Sequence, residues 1–139
     1  MQPRLTAITL GARDFPTLRS FYLGLGWTPS VAMDDYCAFT LGGVILALWP
    51  IENLAQESGV GAGAPAGFTL GWNVDEREQV DAQYAELVER GATPVLAPKD
   101  MEWGGRSGYV ADPEGNRWEI AWAPGVRLDD RGAVLSFGG

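Results

Sequence analysis

The chain contains no histidine and a single cysteine, Cys37, so its acid–base and metal-binding chemistry must come mainly from eighteen Asp and Glu residues. Ser-His-Asp and Cys-His nucleophile systems and histidine-based zinc centres are thereby excluded, since each needs an imidazole as base or neutral ligand. One carboxylate, Glu119, lies inside an apolar run, Trp118-Glu119-Ile120-Ala121-Trp122. A carboxylate among apolar neighbours is a candidate general base. It otherwise serves as a polar contact for a ligand, or is satisfied internally by a hydrogen bond. Six tryptophans, four tyrosines and five phenylalanines exceed what the core of a small sheet protein needs. Their flat faces suit stacking on a planar or cationic ligand. The glycine-rich stretch Gly59 to Gly67 has no following Lys-Ser or Lys-Thr pair and no apolar strand before it, so it reads as a linker and not a phosphate loop.

Composition narrows the classes further. The 139 residues suit about one compact unit with a real core. Ten basic against eighteen acidic residues leave a net charge of -8, with no Lys/Arg cluster to track a phosphate backbone, so nucleic acid is not an expected partner. A lone cysteine cannot form an intrachain disulfide. The N-terminus lacks the apolar stretch of a signal peptide, and the longest apolar run, residues 44 to 51, is less than half of the ~20 residues a membrane crossing needs. No membrane association and a cytoplasmic location are expected.

The elements that must position these groups recur. Thr9-Leu10-Gly11 returns as Thr69-Leu70-Gly71 (69 minus 9, an offset of 60), and Gly26-Trp27-Thr28-Pro29 as Gly91-Ala92-Thr93-Pro94 (91 minus 26, 65). Gly43 before an apolar run has its counterpart in Gly115 (115 minus 43, 72). Matches in constant order with slowly growing offsets are the mark of a duplicated module. In the first copy, a strand over 5–12 precedes a helix capped by Asp14 and carrying Phe15, Leu18, Phe21 and Tyr22, which ends at Gly24 or Gly26. Extended segments follow near 27–33, 36–41 and 44–49. In the second copy, a strand over 68–74 precedes a helix with an Asp75/Glu78 capping-box pattern, an apolar stripe of Val80, Tyr84, Leu87 and Val88, and Gly91 at its end. Strands near 94–97, 106–111 and 117–122 complete it, with Asp112-Pro113-Glu114-Gly115 as a tight turn. Residues 129–132 offer another turn in the C-terminal tail.

Two tandem βαβββ modules, the opening Ile8-Thr9-Leu10-Gly11-Ala12-Arg13-Asp14, the Phe21-Tyr22 pair before Gly24-Leu25-Gly26-Trp27, and the closing Gly108-Tyr109-Val110-Ala111-Asp112-Pro113-Glu114-Gly115-Asn116-Arg117-Trp118-Glu119-Ile120 resemble the vicinal oxygen chelate superfamily over about residues 4 to 123. That group contains glyoxalase I, the bleomycin resistance proteins and extradiol dioxygenases. The resemblance implies an α+β fold in which the two modules form a curled, cup-shaped mixed sheet. It divides one domain, 1–139, into a first module (4–49), a Gly/Ala-rich linker (50–66), a second module (67–123) and a tail (124–139).

Enzymes of this superfamily typically hold a divalent metal with four side chains, one from the first and one from the last strand of each module. The corresponding positions here are Ala7, a site near Ala47, a site on or beside Thr69, and Glu119. Only Glu119 matches, so neither a metal nor another cofactor is expected. If Glu119 faces the cup, strand alternation sends Trp118, Ile120 and Trp122 to the helices and gives the cup Thr69, Gly71 and Asn73. Trp49 then lines it, with Tyr109 and Phe39 as further wall. Trp103, among glycines on the 101–106 loop, serves as ligand lid or dimer contact. The expected function is metal-independent binding of a small molecule, an antibiotic or aromatic ligand, by a homodimer. The alternative is a lyase, isomerase or dioxygenase of the same superfamily that uses Glu119 with an atypical metal set or none.

Overall fold

The computed structural model describes residues 1–59, 61 and 63–138. The chain forms two compact units, Met1–Ala64 and Pro65–Gly139. In the first, the order is β1 (Ala7–Ala12), α1 (Phe15–Gly24), β2 (Val31–Met33), β3 (Tyr36–Leu41), β4 (Val44–Pro50) and α2 (Ile51–Ser58). In the second it is β5 (Leu70–Asn73), α3 (Gln79–Glu89), β6 (Thr93–Asp100), β7 (Arg106–Ala111), β8 (Arg117–Trp122), β9 (Val126–Leu128) and β10 (Val134–Phe137). The first sheet runs β1-β4-β3-β2 and its counterpart β5-β8-β7-β6. In each, the first and last strands of the module pair in parallel and the other neighbours are antiparallel. The shared order is what a duplicated βαβββ module leaves, and the class is α+β with two unclosed mixed sheets.

Helix α1 starts where the sequence asks it to. The Asp14 carboxylate accepts the Thr17 N–H at 3.2 Å and the Thr17 hydroxyl at 2.8 Å, satisfying a donor that the first turn leaves unpaired. Phe15, Leu18 and Tyr22 recur on one face and are buried. Tyr22 stacks on Trp27 at 5.6 Å, and Phe39 from β3 stands 6.2 Å from Tyr22 and 5.6 Å from Trp27. Phe39 is 1% exposed. It pairs with Leu46, whereas Ala38 pairs with Ala47, so the pleat gives Phe39 and Ala47 opposite faces. The expectation that Phe39 helps wall a ligand is corrected on this ground: it belongs to the core under α1.

The segment read as a linker contains α2, closed by Gly59 in the left-handed region with its N–H on the Ala55 carbonyl at 2.8 Å. A Cβ on Gly11 would overlap Ile51 Cδ1 and stand 3.1 Å from Leu54 Cδ2, so the missing side chain lets α2 lie against β1. Within the Gly59–Gly67 stretch, Val60 and Ala62 fall outside the described residues.

In the second unit Val80 and Leu87 of α3 are buried, as are Leu70, Val110, Trp118 and Ile120 of the sheet on which α3 packs. The expected capping box does not form. Glu78 has helical backbone angles and makes no side-chain cap; Gln79 instead reaches back to accept the Glu76 N–H at 2.8 Å. A turn over 76–79 precedes the helix and displaces its start beyond the reach of Asp75. At the other end Gly91, with φ 112°, lets Ala92 N–H return to the Leu87 carbonyl at 2.9 Å. Arg106 bridges α3 and the sheet through Asp81 (3.0 and 3.1 Å) and Asp100 (3.1 Å), and Arg77 also pairs with Asp100. Solvent screens exposed pairs of this kind, so they orient α3 more than they hold it.

The 112–116 segment is a turn built on one buried carboxylate. Asp112 Oδ1 accepts the N–H groups of Glu114 and Asn116, both at 2.9 Å, and Oδ2 accepts Asn116 Nδ2 at 2.7 Å. Asp112 and Asn116 are 3% and 2% exposed. Gly115 takes φ 90°, which a side chain would strain. The tail forms the β9–β10 hairpin around Asp129, whose carboxylate accepts the N–H groups of Arg131 (2.8 Å) and Ala133 (2.9 Å). Those bonds hold its pKa below the usual carboxylate range. Among the described residues no helix is long and apolar enough to cross a membrane.

Asp112→Ala is expected to lower unfolding stability by about 3 kcal/mol, because three donors lose a charged acceptor. Asp112→Asn, which keeps an acceptor for the two backbone groups, should lose about half as much. Urea denaturation checks this; an Ala variant within about 0.5 kcal/mol of the parent would contradict it.

Candidate functional site

Strand register places the chemistry of the second unit. Glu119 on β8 lies opposite Tyr109 on β7 and opposite Gly71 on β5. Residues opposite one another project to the same face, so Tyr109, Glu119 and the bare backbone of Gly71 form one row. The next row on that face is Ser107, Ala121 and Asn73. Trp118 and Ile120 take the other face, against α3, as alternation requires.

The Tyr109 phenol faces the Glu119 carboxylate across the β7–β8 ladder. Burial of the phenol, followed by the negative charge and hydrogen-bonding influence of Glu119, raises the Tyr109 pKa above its ordinary value of 10.0. The phenol therefore stays protonated through neutral pH and acts as a donor. Both residues are half-buried. A Cβ built on Gly71 would meet only Asn73 Oδ1, at 3.9 Å, so open space adjoins Glu119 on the β5 side. The Ser107 hydroxyl, in a residue 2% exposed, is buried without a hydrogen-bond partner. Such a group is costly unless a further polar atom reaches it.

The corresponding row of the first unit carries almost no chemistry. Thr9, Ala47, Ala38 and Val31 stand in register, two of them alanines that are 2% exposed. Trp49 lies two residues along β4 and meets Tyr36 edge-on, at 6.4 Å and 83°. Tyr36 escaped the sequence reading, since only the β3–β4 register makes it Trp49's neighbour. Ser107 escaped it too, although its spacing of two from Tyr109 already put both on one face.

The remaining candidates are dispersed. Thr69 is exposed and precedes β5. Asn73 ends β5 and lines an open depression beside α3 together with Trp72 and Gln83. Trp103, 51% exposed, sits on the turn in which Met101 N–H bonds to the Gly105 carbonyl at 2.8 Å. Its indole lies against Gly105, where any Cβ would collide with the ring. Of the four positions at which the resemblance places metal ligands, Ala7 and Ala47 have no donor atom and Thr69 offers only an exposed hydroxyl. Among the described residues no group of three or more His, Cys, Asp or Glu is placed to hold a metal ion. The donor set does not fit a divalent metal site.

The sequence matches the profile of the Glyoxalase/Bleomycin resistance protein/Dioxygenase superfamily over residues 4–120. A glyoxalase-related enzyme from Fulvimarina pelagi has a similar structure, with a TM-score of 0.90 and 31% identity over 99% of this chain and 100% of that one. A glyoxalase/bleomycin resistance protein/dioxygenase from Nocardioides gives 0.74 and 31% over 88% of this chain and 84% of its own. A lactoylglutathione lyase from Agrobacterium tumefaciens shares the fold, at 0.65 and 21% identity over 88% of this chain and 96% of that one. An uncharacterized protein of Mycobacterium tuberculosis H37Rv is 39% identical over 61 residues, 43% of this chain and 36% of that protein. The aligned stretch thus spans little more than a third of that relative's length.

If the Tyr109–Glu119 contact sets the phenol's ionisation, Glu119→Gln removes the charge and lowers the Tyr109 pKa, with burial still keeping it above the free value. Ultraviolet titration of tyrosinate, with Tyr109→Phe to assign the transition, measures this. A Tyr109 transition unchanged in Glu119→Gln would show that the two side chains do not interact.

Proposed function

The chain belongs to the Glyoxalase/Bleomycin resistance protein/Dioxygenase superfamily, and from that premise we propose that it is a metal-independent binding protein for a small organic molecule. The observation that carries the reading is the Glu119–Tyr109 pair beside the open space at Gly71. A carboxylate acceptor and a protonated phenol donor lie on one face of the second sheet. Of the four positions at which the resemblance expects metal ligands, Ala7, Ala47 and Thr69 carry no ionisable side chain. A lone carboxylate does not retain a catalytic divalent ion, but it does bind a ligand N–H or a cationic group. The proposed ligand is planar and aromatic, with a hydrogen-bond donor or positive charge for Glu119 and an acceptor for the Tyr109 hydroxyl. Antibiotics of that build are the first compounds to try. The exposed indole of Trp103, in the same unit, is an aromatic surface offered for stacking.

A second reading, a lyase, isomerase or dioxygenase, draws on the same pair. A carboxylate facing a phenol can shuttle a proton, with Glu119 as the base and Tyr109 as the donor. We further propose that the protein is a cytoplasmic homodimer. Exposed Trp103, Leu135 and Phe137 support self-association, since apolar and aromatic groups of this size favour burial in an interface.

Tryptophan fluorescence titration against a panel of aromatic and cationic antibiotics should give saturable quenching with at least one member. Glu119→Gln should weaken that ligand by about tenfold, the value of one charged hydrogen bond. Quenching by no member would count against the binding reading. Stoichiometric iron, nickel, zinc or manganese in protein purified without chelators, lost in Glu119→Gln, would favour the enzymatic one. Light scattering at micromolar concentration should return a dimer mass; a monomer at all dilutions would remove the assembly proposal.

A further inference from the structure

We propose that the depression beside α3 is a second ligand site, which takes a small primary alkylammonium ion. It lies wholly in the second unit, where the end of β5 and the turn after it run along α3, and its volume is ≈ 360 Å³. That is near the lower end for ligand pockets and leaves room for about a dozen water-sized groups at ~30 Å³ each. Its lining is chemically one-sided. Trp72 supplies an indole wall, Gln79 and Gln83 supply neutral amides, and Asp75 and Glu86 supply carboxylates, while Asn73 borders it with its amide turned to the Gly71 face. No lysine or arginine lines it.

The geometry makes this more than an acidic patch. Trp72 is fixed by an edge contact with Trp118, at 6.0 Å and 65°, so its ring is a standing wall and not a loose surface group. Gln79, Gln83 and Glu86 follow at helical spacings of four and three and form one stripe of α3 facing that wall. Gln79 is held by accepting the Glu76 N–H at 2.8 Å. Glu86 pairs with Arg90 one turn along the helix, at 3.2 Å. Asp75 has no cation partner among the described residues, and it lies on the turn between β5 and α3 that lines the depression.

The ligand class follows from this lining. An ammonium group is attracted to the carboxylates and to the face of an indole, and its N–H groups find amide and carboxylate acceptors in the lining. An anion meets the Asp75 carboxylate with no lysine or arginine in the lining to offset it, and a purely apolar ligand leaves the amides unsatisfied. Two carboxylates that are not clustered with a third donor do not make a divalent metal site. The site shares only Asn73 with the candidates read from sequence, and it stands independently of the Glu119–Tyr109 face.

Nitrogen-15 NMR of the full chain, titrated with n-butylammonium chloride, tests the proposal, with sodium butyrate and sodium chloride as controls. The expected result is saturable shifts of the Trp72 indole N–H and of the Gln79 and Gln83 side-chain amides with butylammonium alone. Asp75→Asn, at an exposed position, should weaken binding by about tenfold. Glu119→Gln should leave the butylammonium affinity as it was, which separates this site from the other face. Equal shifts from butyrate, shifts that rise without saturating, undiminished binding by Asp75→Asn, or loss of binding in Glu119→Gln would each overturn the assignment.

Discussion

The Asp112 carboxylate organises the turn on which the rest of the second unit depends. By accepting two backbone N–H groups and the Asn116 amide, it fixes where β7 ends and β8 begins. A two-residue stagger there would part Tyr109 from Glu119, and a one-residue slip would send every side chain of β8 to the other face. The Tyr109–Glu119 contact, the burial of Trp118 and Ile120 against α3 and the open space at Gly71 all follow from one register. The segment that identifies the superfamily in sequence therefore acts here through the backbone. Within it Asp112 holds the turn, and the flanking strands carry Tyr109 and Glu119.

Duplication gives two sheets of one topology and leaves their chemistry free to diverge. Paired positions in the two ladders are related by offsets of 62 on the first strand (Thr9 to Gly71, 71 minus 9) and 72 on the last (Ala47 to Glu119, 119 minus 47). On that frame Ala47 and Ala38 occupy the places of Glu119 and Tyr109. The first unit has small buried side chains where the second has an acid facing a phenol. On the proposed reading the ligand is engaged through the second unit.

Much of the fold was legible because its signals are local. The Asp14 cap, the stripe on α3, the Gly91 stop and the 112–115 turn each lie within a few residues, and each appears at the expected place. The failures are of two kinds. Phe39 was misplaced because its face is set by pairing with Leu46, a relation between strands that no single strand reveals. Helix α2 was missed because it has no side-chain cap and lies in a segment whose glycines dominate the reading, while the contact that holds it depends on distant Gly11. The candidate site divides in the same way. Glu119 was visible as a carboxylate in an apolar run, whereas Tyr36 and the lining of the α3 depression needed register or packing to be seen.

The central claim is that Glu119 serves an organic ligand directly. The carbon-13 shift of its side-chain carboxyl, assigned by comparison with Glu119→Gln, reports on that atom alone. In chelator-treated protein the account predicts a saturable change when the ligand found by fluorescence is added, and none when zinc or nickel is added without ligand. A carboxyl resonance that moves with stoichiometric metal, or stays fixed while the ligand binds, would contradict it.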